Sequence, residues 1–198
     1  MIRLRTMLQS DNPSFVNDPN LKYVDPTTRM LWNQLSQRFT ALQPSSAADT
    51  LRNYDASFVK MLKVLHANGA APHVLAGTDV GGIWVIPGFS LHQEFHELAD
   101  AGFTPLEVLQ ATTLNGARFL DRESTMGTVE ANKNADLVLL DANPVLDVAN
   151  LSKIAGVFNA GKYFSKSDLD DLKAKRAAAN AAAPIRQVST VLDPNHRD

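Results

Sequence analysis

Asp79 closes a short apolar run, His73-Val74-Leu75-Ala76-Gly77-Thr78, and Gly81 and Gly82 follow it closely. A carboxylate in such a place can accept a proton or ligate a cation, and glycines let backbone approach a substrate or a metal. The same carboxylate reads equally well as a turn or helix-cap residue. His92 and His96 stand four apart, so on a helix they share one face. With Asp79 they could in principle form a self-contained His2Asp metal site. The plainer reading is a half-buried, hydrogen-bonded pair flanking a stripe of Leu91, Phe95 and Leu98. Of the two, His92 is the one placed to face a substrate, and His96 reads as structural. Trp84, in the loop after Asp79, either lines a substrate pocket or anchors the loop.

These side chains need elements to position them. The first eight residues carry charge without a continuing apolar stretch, so they read as neither a signal peptide nor the first element of a domain. Residues 9–26, broken by Pro13, Pro19 and Pro26, read as a long loop. Asp25-Pro26 opens a helix with a buried face of Leu31, Leu35, Phe39 and Leu42, ended by Gln43-Pro44-Ser45-Ser46. A second helix runs from about Ala48 to Asn68 with an apolar stripe of Leu51, Tyr54, Phe58, Met61, Leu62 and Leu65, and Gly69 supplies its left-handed cap. Residues 73–77 read as a fully buried strand delivering Asp79.

Ser90 and Gln93 are expected to form a capping box opening the next helix, which Gly102 ends. Thr104, Pro105 and Glu107 open a further helix reaching about Leu120. The order helix, strand, glycine loop, helix is one turn of a parallel β/α barrel, in which a carboxylate ending a strand lies on the active face.

The texture changes after residue 125. Gly127-Thr128-Val129 and residues 135–140 read as short β segments around a turn at Asn132-Lys133-Asn134, and residues 154–164 as a hairpin about Ala160-Gly161. An Ala-rich helix over 166–183, capped near Ser167, leads to an extended tail beyond Pro184. The division expected is a barrel part over 1–124, a small β unit over 125–165, and a C-terminal helix and tail over 166–198.

The remaining histidines have plain explanations. His66 suits the C-terminal end of its helix dipole. His73 opens its strand about 17 Å from the far end, too distant to share a metal with Asp79. His196 lies in the tail. Arg118 reads as a structural ion-pair partner.

Composition sets outer limits. The chain has 198 residues, 44% hydrophobic and 20% charged, with net charge −2, as an ordinary globular protein does. Neither a basic face nor basic–aromatic alternation points to nucleic acid. No apolar run approaches the ~20 residues that span a bilayer. The absence of cysteine excludes disulfides and thiolate zinc sites. It leaves the compartment open, with the cytoplasm as default and an export signal upstream of Met1 as the alternative.

Four stretches in combination closely resemble the amidohydrolase superfamily, in its imidazolonepropionase and Xaa-Pro dipeptidase-like branch. They are Leu75-Ala76-Gly77-Thr78-Asp79, Ser90-Leu91-His92-Gln93-Glu94-Phe95, Ala101-Gly102-Phe103-Thr104-Pro105-Leu106-Glu107-Val108-Leu109, and Ala111-Thr112-Thr113-Leu114-Asn115-Gly116-Ala117-Arg118. The run from Gly127 to Asp141 resembles the family's C-terminal β segment, except that Asn132 stands where a glycine is usual. A left-handed turn tolerates asparagine there.

The resemblance implies an α/β fold: the C-terminal part of a TIM-type (β/α)8 barrel, then a small β unit and a C-terminal helix, with the barrel incomplete. It also implies a metal-dependent hydrolase of C–N bonds in an amide, dipeptide or cyclic amide. Asp79 would be metal ligand and proton acceptor, with one or two divalent ions, zinc foremost, in the complete enzyme. The family's His-x-His pair is absent from this sequence, so the histidine ligands are expected upstream of Met1 or on a partner chain, and the chain alone is expected to be inactive. The alternative is a non-catalytic product or assembly subunit with the same fold, pairing with itself or another chain through exposed strand edges.

Overall fold

The structure is a computed structural model that describes residues 1–42 and 47–186. The Gln43–Ser46 helix end and the tail with His196 lie outside the described residues. The elements run α1 (Ile2–Leu8), α2 (Pro13–Val16), α3 (Pro26–Ala41), α4 (Ala47–Ala67), α5 (Phe89–Asp100), α6 (Pro105–Thr112), α7 (Leu114–Phe119), β1 (Leu137–Leu140), β2 (Ile154–Asn159), β3 (Lys162–Ser165) and α8 (Lys166–Ala182). Short 3-10 turns occupy Pro19–Tyr23, Ala71–His73 and Val148–Ser152.

Helix ends follow their caps. The Asp25 carboxylate accepts from Thr28 N ahead of Pro26. Asn12-Pro13 and Asp18-Pro19 repeat that chemistry and open α2 and the first 3-10 turn, so the expected 9–26 loop is largely structured. Thr104 and Glu107 form the expected reciprocal capping box, and Ser165 with Asp168 forms another. The cap of α8 is therefore Ser165, not Ser167. At α5 the expectation fails: Gly88, at φ 77°, is the cap, and Ser90 Oγ instead accepts from Ile86 N at 2.9 Å. Only glycine takes that backbone readily. The helix from Thr104 does not run unbroken to Leu120, because Thr113, at φ −128° and ψ −79°, divides α6 from α7.

The sheet is antiparallel in the order β1-β2-β3. Ala160 and Gly161, at φ 48° and 79°, form the tight β2–β3 turn. Asn132 takes the left-handed backbone expected of it, at φ 68°. Residues 127–129 are not a strand.

Apolar residues gather in two clusters. Phe95, Leu98, Phe103, Val108 and Leu151 centre one, between α5, α6 and the 148–152 turn. Ile2, Phe15, Trp32, Trp84 and Ile86 centre the other. Ile2 is almost fully buried, so the chain's first residues are a core element after all. On α3 the buried positions are Trp32 and Ser36; Leu31, Leu35 and Phe39 are half-buried and Leu42 is exposed. On α4 the predicted stripe is divided: Leu51, Phe58 and Leu62 are half-buried, Leu62 against the first cluster, whereas Tyr54, Met61 and Leu65 are exposed, and Asp55 is buried beside Arg5 of α1. No helix among the described residues is long and apolar enough to cross a membrane.

Candidate active site

Residues 74–79 have no regular secondary structure, so the buried strand expected over 73–77 is not formed. No described strand pairs with them, and Leu75 is exposed. A parallel strand takes its ladder from neighbours on both sides. Here α6 and α7 do that work. Asn115, buried at the start of α7, donates through Nδ2 to Ala71 O at 3.0 Å and Val74 O at 2.9 Å. Ala76 N donates to Ala111 O at 3.0 Å. A lone amide between apolar residues, Leu114-Asn115-Gly116-Ala117, was the sequence signal for this positioning role.

The segment delivers Asp79 with its side chain 81% exposed. Its backbone sits at φ 50°, a left-handed conformation that aspartate tolerates better than most residues. Arg3 Nε of α1 lies 3.3 Å from Asp79 Oδ2. The same guanidinium lies against Gly82, where a Cβ would collide with it. Within the chain, the group that the glycine loop approaches closely is Arg3.

Trp84 is buried to 2% at φ 59°, an outlying backbone for a bulky side chain. Its Nε1 donates to Ser10 O at 2.7 Å, and its ring meets Trp32 edge-to-face at 5.8 Å. Ser36 Oγ donates to the same Ser10 carbonyl at 2.7 Å. One carbonyl thus ties the end of α1, α3 and the loop after Asp79 together, with Trp84 in an anchoring arrangement.

His92 is half-buried on α5, edge-to-face with Phe95 at 5.6 Å. Burial, and then the neighbouring His96, pull its pKa below the ordinary histidine value, so the ring is neutral near pH 7. Its Nδ1 is buried with no hydrogen-bond partner among the described residues, so the expected hydrogen-bonded pair lacks that contact. His96 is exposed. Among the described residues no group of three or more His, Asp, Glu or Cys side chains could hold a metal ion, which removes the self-contained site of His92, His96 and Asp79. His66 Nε2 lies 3.0 Å from Glu107 Oε2, the capping-box carboxylate of α6, and its ring packs on Phe103. Arg118 pairs with Glu123 at 2.8 Å, in the structural role expected.

Sequence reasoning missed a buried charge cluster behind this site. Arg5 of α1 reaches Asp55 of α4 at 3.2 Å and Glu97 of α5 at 2.5 Å. Glu94 of α5 accepts from the Met1 amine at 2.9 Å and from Ile2 N at 2.7 Å. Burial pushes Glu97 up to about 7, against the pull of Arg5, with Asp55 and Glu94 adding repulsion. Arg5 offsets only part of that push, because it is shared between two carboxylates.

Residues 32–164, more than half of the chain, match the Amidohydrolase family. The chain belongs to the amidohydrolase family. Within it, a stretch of 39 residues is 56% identical to an imidazolonepropionase of Shouchella clausii (strain KSM-K16), 20% of this chain and 9% of that protein. A stretch of 38 residues is 47% identical to an imidazolonepropionase of Treponema denticola, again 9% of that protein. Among solved structures, a bottromycin amidohydrolase superposes with a TM-score of 0.66 at 24% identity, covering 90% of this chain and 39% of its own, a likeness of fold. A protein of Bifidobacterium longum described as a prolidase superposes with a TM-score of 0.54 at 29% identity, over 71% of this chain and 35% of that one. This amidohydrolase chain thus spans well under half the length of the proteins it resembles.

Proposed function

We propose that the chain forms the Asp79 side of the active site of a metal-dependent hydrolase that cleaves a C–N bond in an amide, dipeptide or cyclic amide. The observation that carries this reading is the family match across Asp79 and its loop, joined to an exposed carboxylate held by the Asn115 amide and the Trp84 anchor. Asp79 takes a proton from the attacking water and returns it to the leaving nitrogen. His92, whose pKa burial lowers, faces the substrate from α5 as donor or acceptor. Trp84 serves substrate binding through the loop it anchors.

A divalent metal, zinc foremost, supplies carbonyl polarisation when bound. The described residues do not make its site by themselves. Catalytic zinc takes about three protein ligands, whereas the described residues offer Asp79 without a group that could complete the set. The other ligands belong to the remainder of a TIM-type barrel or to a partner chain, and the chain alone is inactive. A second reading, an assembly subunit without catalysis, is favoured by one observation: the outward apolar face of α4.

The test is Asp79→Asn in the complete enzyme. Asparagine keeps the shape without the charge and tolerates the left-handed backbone, so the melting temperature should hold. Measured on a panel of N-acyl amides, dipeptides and cyclic amides, kcat/KM should fall by at least about 100-fold. Near wild-type turnover would remove Asp79 from the mechanism.

A further inference from the structure

A cavity of about 580 Å³ opens between α1 and α4. That size suits a small molecule. Its lining shares no residue with the Asp79 loop. Four cations, Arg5, Arg52, Lys60 and Lys63, line it against one carboxylate, Asp55. The chain as a whole is negative, with 21 acidic and 19 basic residues. The cavity therefore runs against the sign of the molecule.

Residues 52, 56, 59, 60 and 63 fall on one face of α4 by helical spacing, so its three cations face the same concavity. Arg5 is held from the α1 side by Asp55 and Glu97, and Arg52 is paired with Asp49. Lys60 and Lys63, three apart, have no ion-pair partner among the described residues. Like charges at that spacing repel on a bare helix, and an anion between them would relieve the repulsion. Ala56 and Val59 give the cavity an apolar strip.

We propose that this cavity binds a small multivalent oxyanion carrying phosphate or carboxylate groups, with Lys60 and Lys63 as its principal contacts. The anion bridges the two ammonium groups, and Arg5 and Arg52 extend the positive field beyond them. The reading stands independently of the chemistry assigned to Asp79.

Titration calorimetry of the full chain with pyrophosphate and with citrate tests it, the two probes separating phosphate from carboxylate preference. Saturable one-to-one binding of at least one probe is expected, weakening as salt rises. Lys60→Gln/Lys63→Gln should weaken it about tenfold, the sum of two exposed charge contacts. Both lysines are exposed, so the fold should survive, as circular dichroism would show. Lys173→Gln/Lys175→Gln on α8 removes the same net charge far along the sequence and should leave binding unchanged. Failure of both probes to bind, equal losses in the two double variants, or no loss at Lys60 and Lys63 would each overturn the proposal. Binding of an acidic peptide but of neither small anion would overturn it too.

Discussion

Trp84 holds a left-handed backbone that costs on the order of 1–3 kcal/mol for a residue of its kind, and it persists because three contacts determine it together. The indole N–H is bonded to Ser10 O, the ring is edge-on to Trp32, and the side chain is buried. Replacing it with phenylalanine keeps most of the apolar contact but leaves the buried Ser10 carbonyl with Ser36 alone. Trp84→Phe should therefore destabilise the chain by about 1–3 kcal/mol, read as a lower urea midpoint at unchanged slope. An unchanged midpoint would mean that the hydrogen bond holds nothing. Asn115 poses the same question one step nearer to Asp79, since its single amide satisfies two carbonyls at the root of the segment.

Between elements, Arg5, Asp55 and Glu97 join α1, α4 and α5 through one cation shared by two buried carboxylates. Glu97 is pushed from 4.5 to about 7 on folding. The folded state thus binds the proton more tightly than the unfolded chain does. The resulting stability is fully present below pH ~4.5 and is lost as pH rises through about 7. Glu97→Gln makes the neutral form permanent and keeps an oxygen for Arg5. It should match the wild type near pH 4.5 and exceed it at pH 8 by on the order of 1–3 kcal/mol. Chemical denaturation at the two pH values measures the difference, and a variant less stable at pH 8 would show that the Arg5 ion pair outweighs burial.

The same elements show what could be read from sequence and why the rest could not. The caps at Asp25 and Thr104 and the turns at Asn132 and Ala160-Gly161 depend on residues within a few positions of one another, and all hold. Ser90 looked like a cap on the same grounds, but Gly88 could take φ 77° and left the serine hydroxyl for Ile86. Where the deciding partner is remote, pattern gave no purchase. Ser10 meets Trp84 from 74 positions away, and Arg5 reaches Asp55 from 50. The burial of Asp55 among the half-buried and exposed members of the α4 stripe follows from that second contact. At the candidate site, Asp79 was visible as an acid ending an apolar run. Arg3, Ser10 and Asn115, which hold or contact its loop, carry no local pattern.

At the scale of the whole molecule, the described chain leaves much apolar surface uncovered. Tyr54, Met61, Val64 and Leu65 stand out along α4, and Leu75 and Val80 lie on either side of Asp79. Isolated exposed apolar side chains are ordinary, but a run of four on one helix is not, and contiguous patches of this kind mark association surfaces. Each such residue is about half exposed, so its complete burial would gain on the order of 1 kcal/mol, and several together favour a partner over water. The purified chain is therefore expected to elute from a sizing column above the volume-equivalent mass of 21.6 kDa and to bind a hydrophobic dye. Met61→Glu/Leu65→Glu, placed on the outward face where neither residue is buried, should restore monomeric elution without lowering the melting temperature. A wild-type chain that elutes as a monomer and ignores the dye would show that this face is compatible with water, and would leave the assembly reading without its one supporting observation.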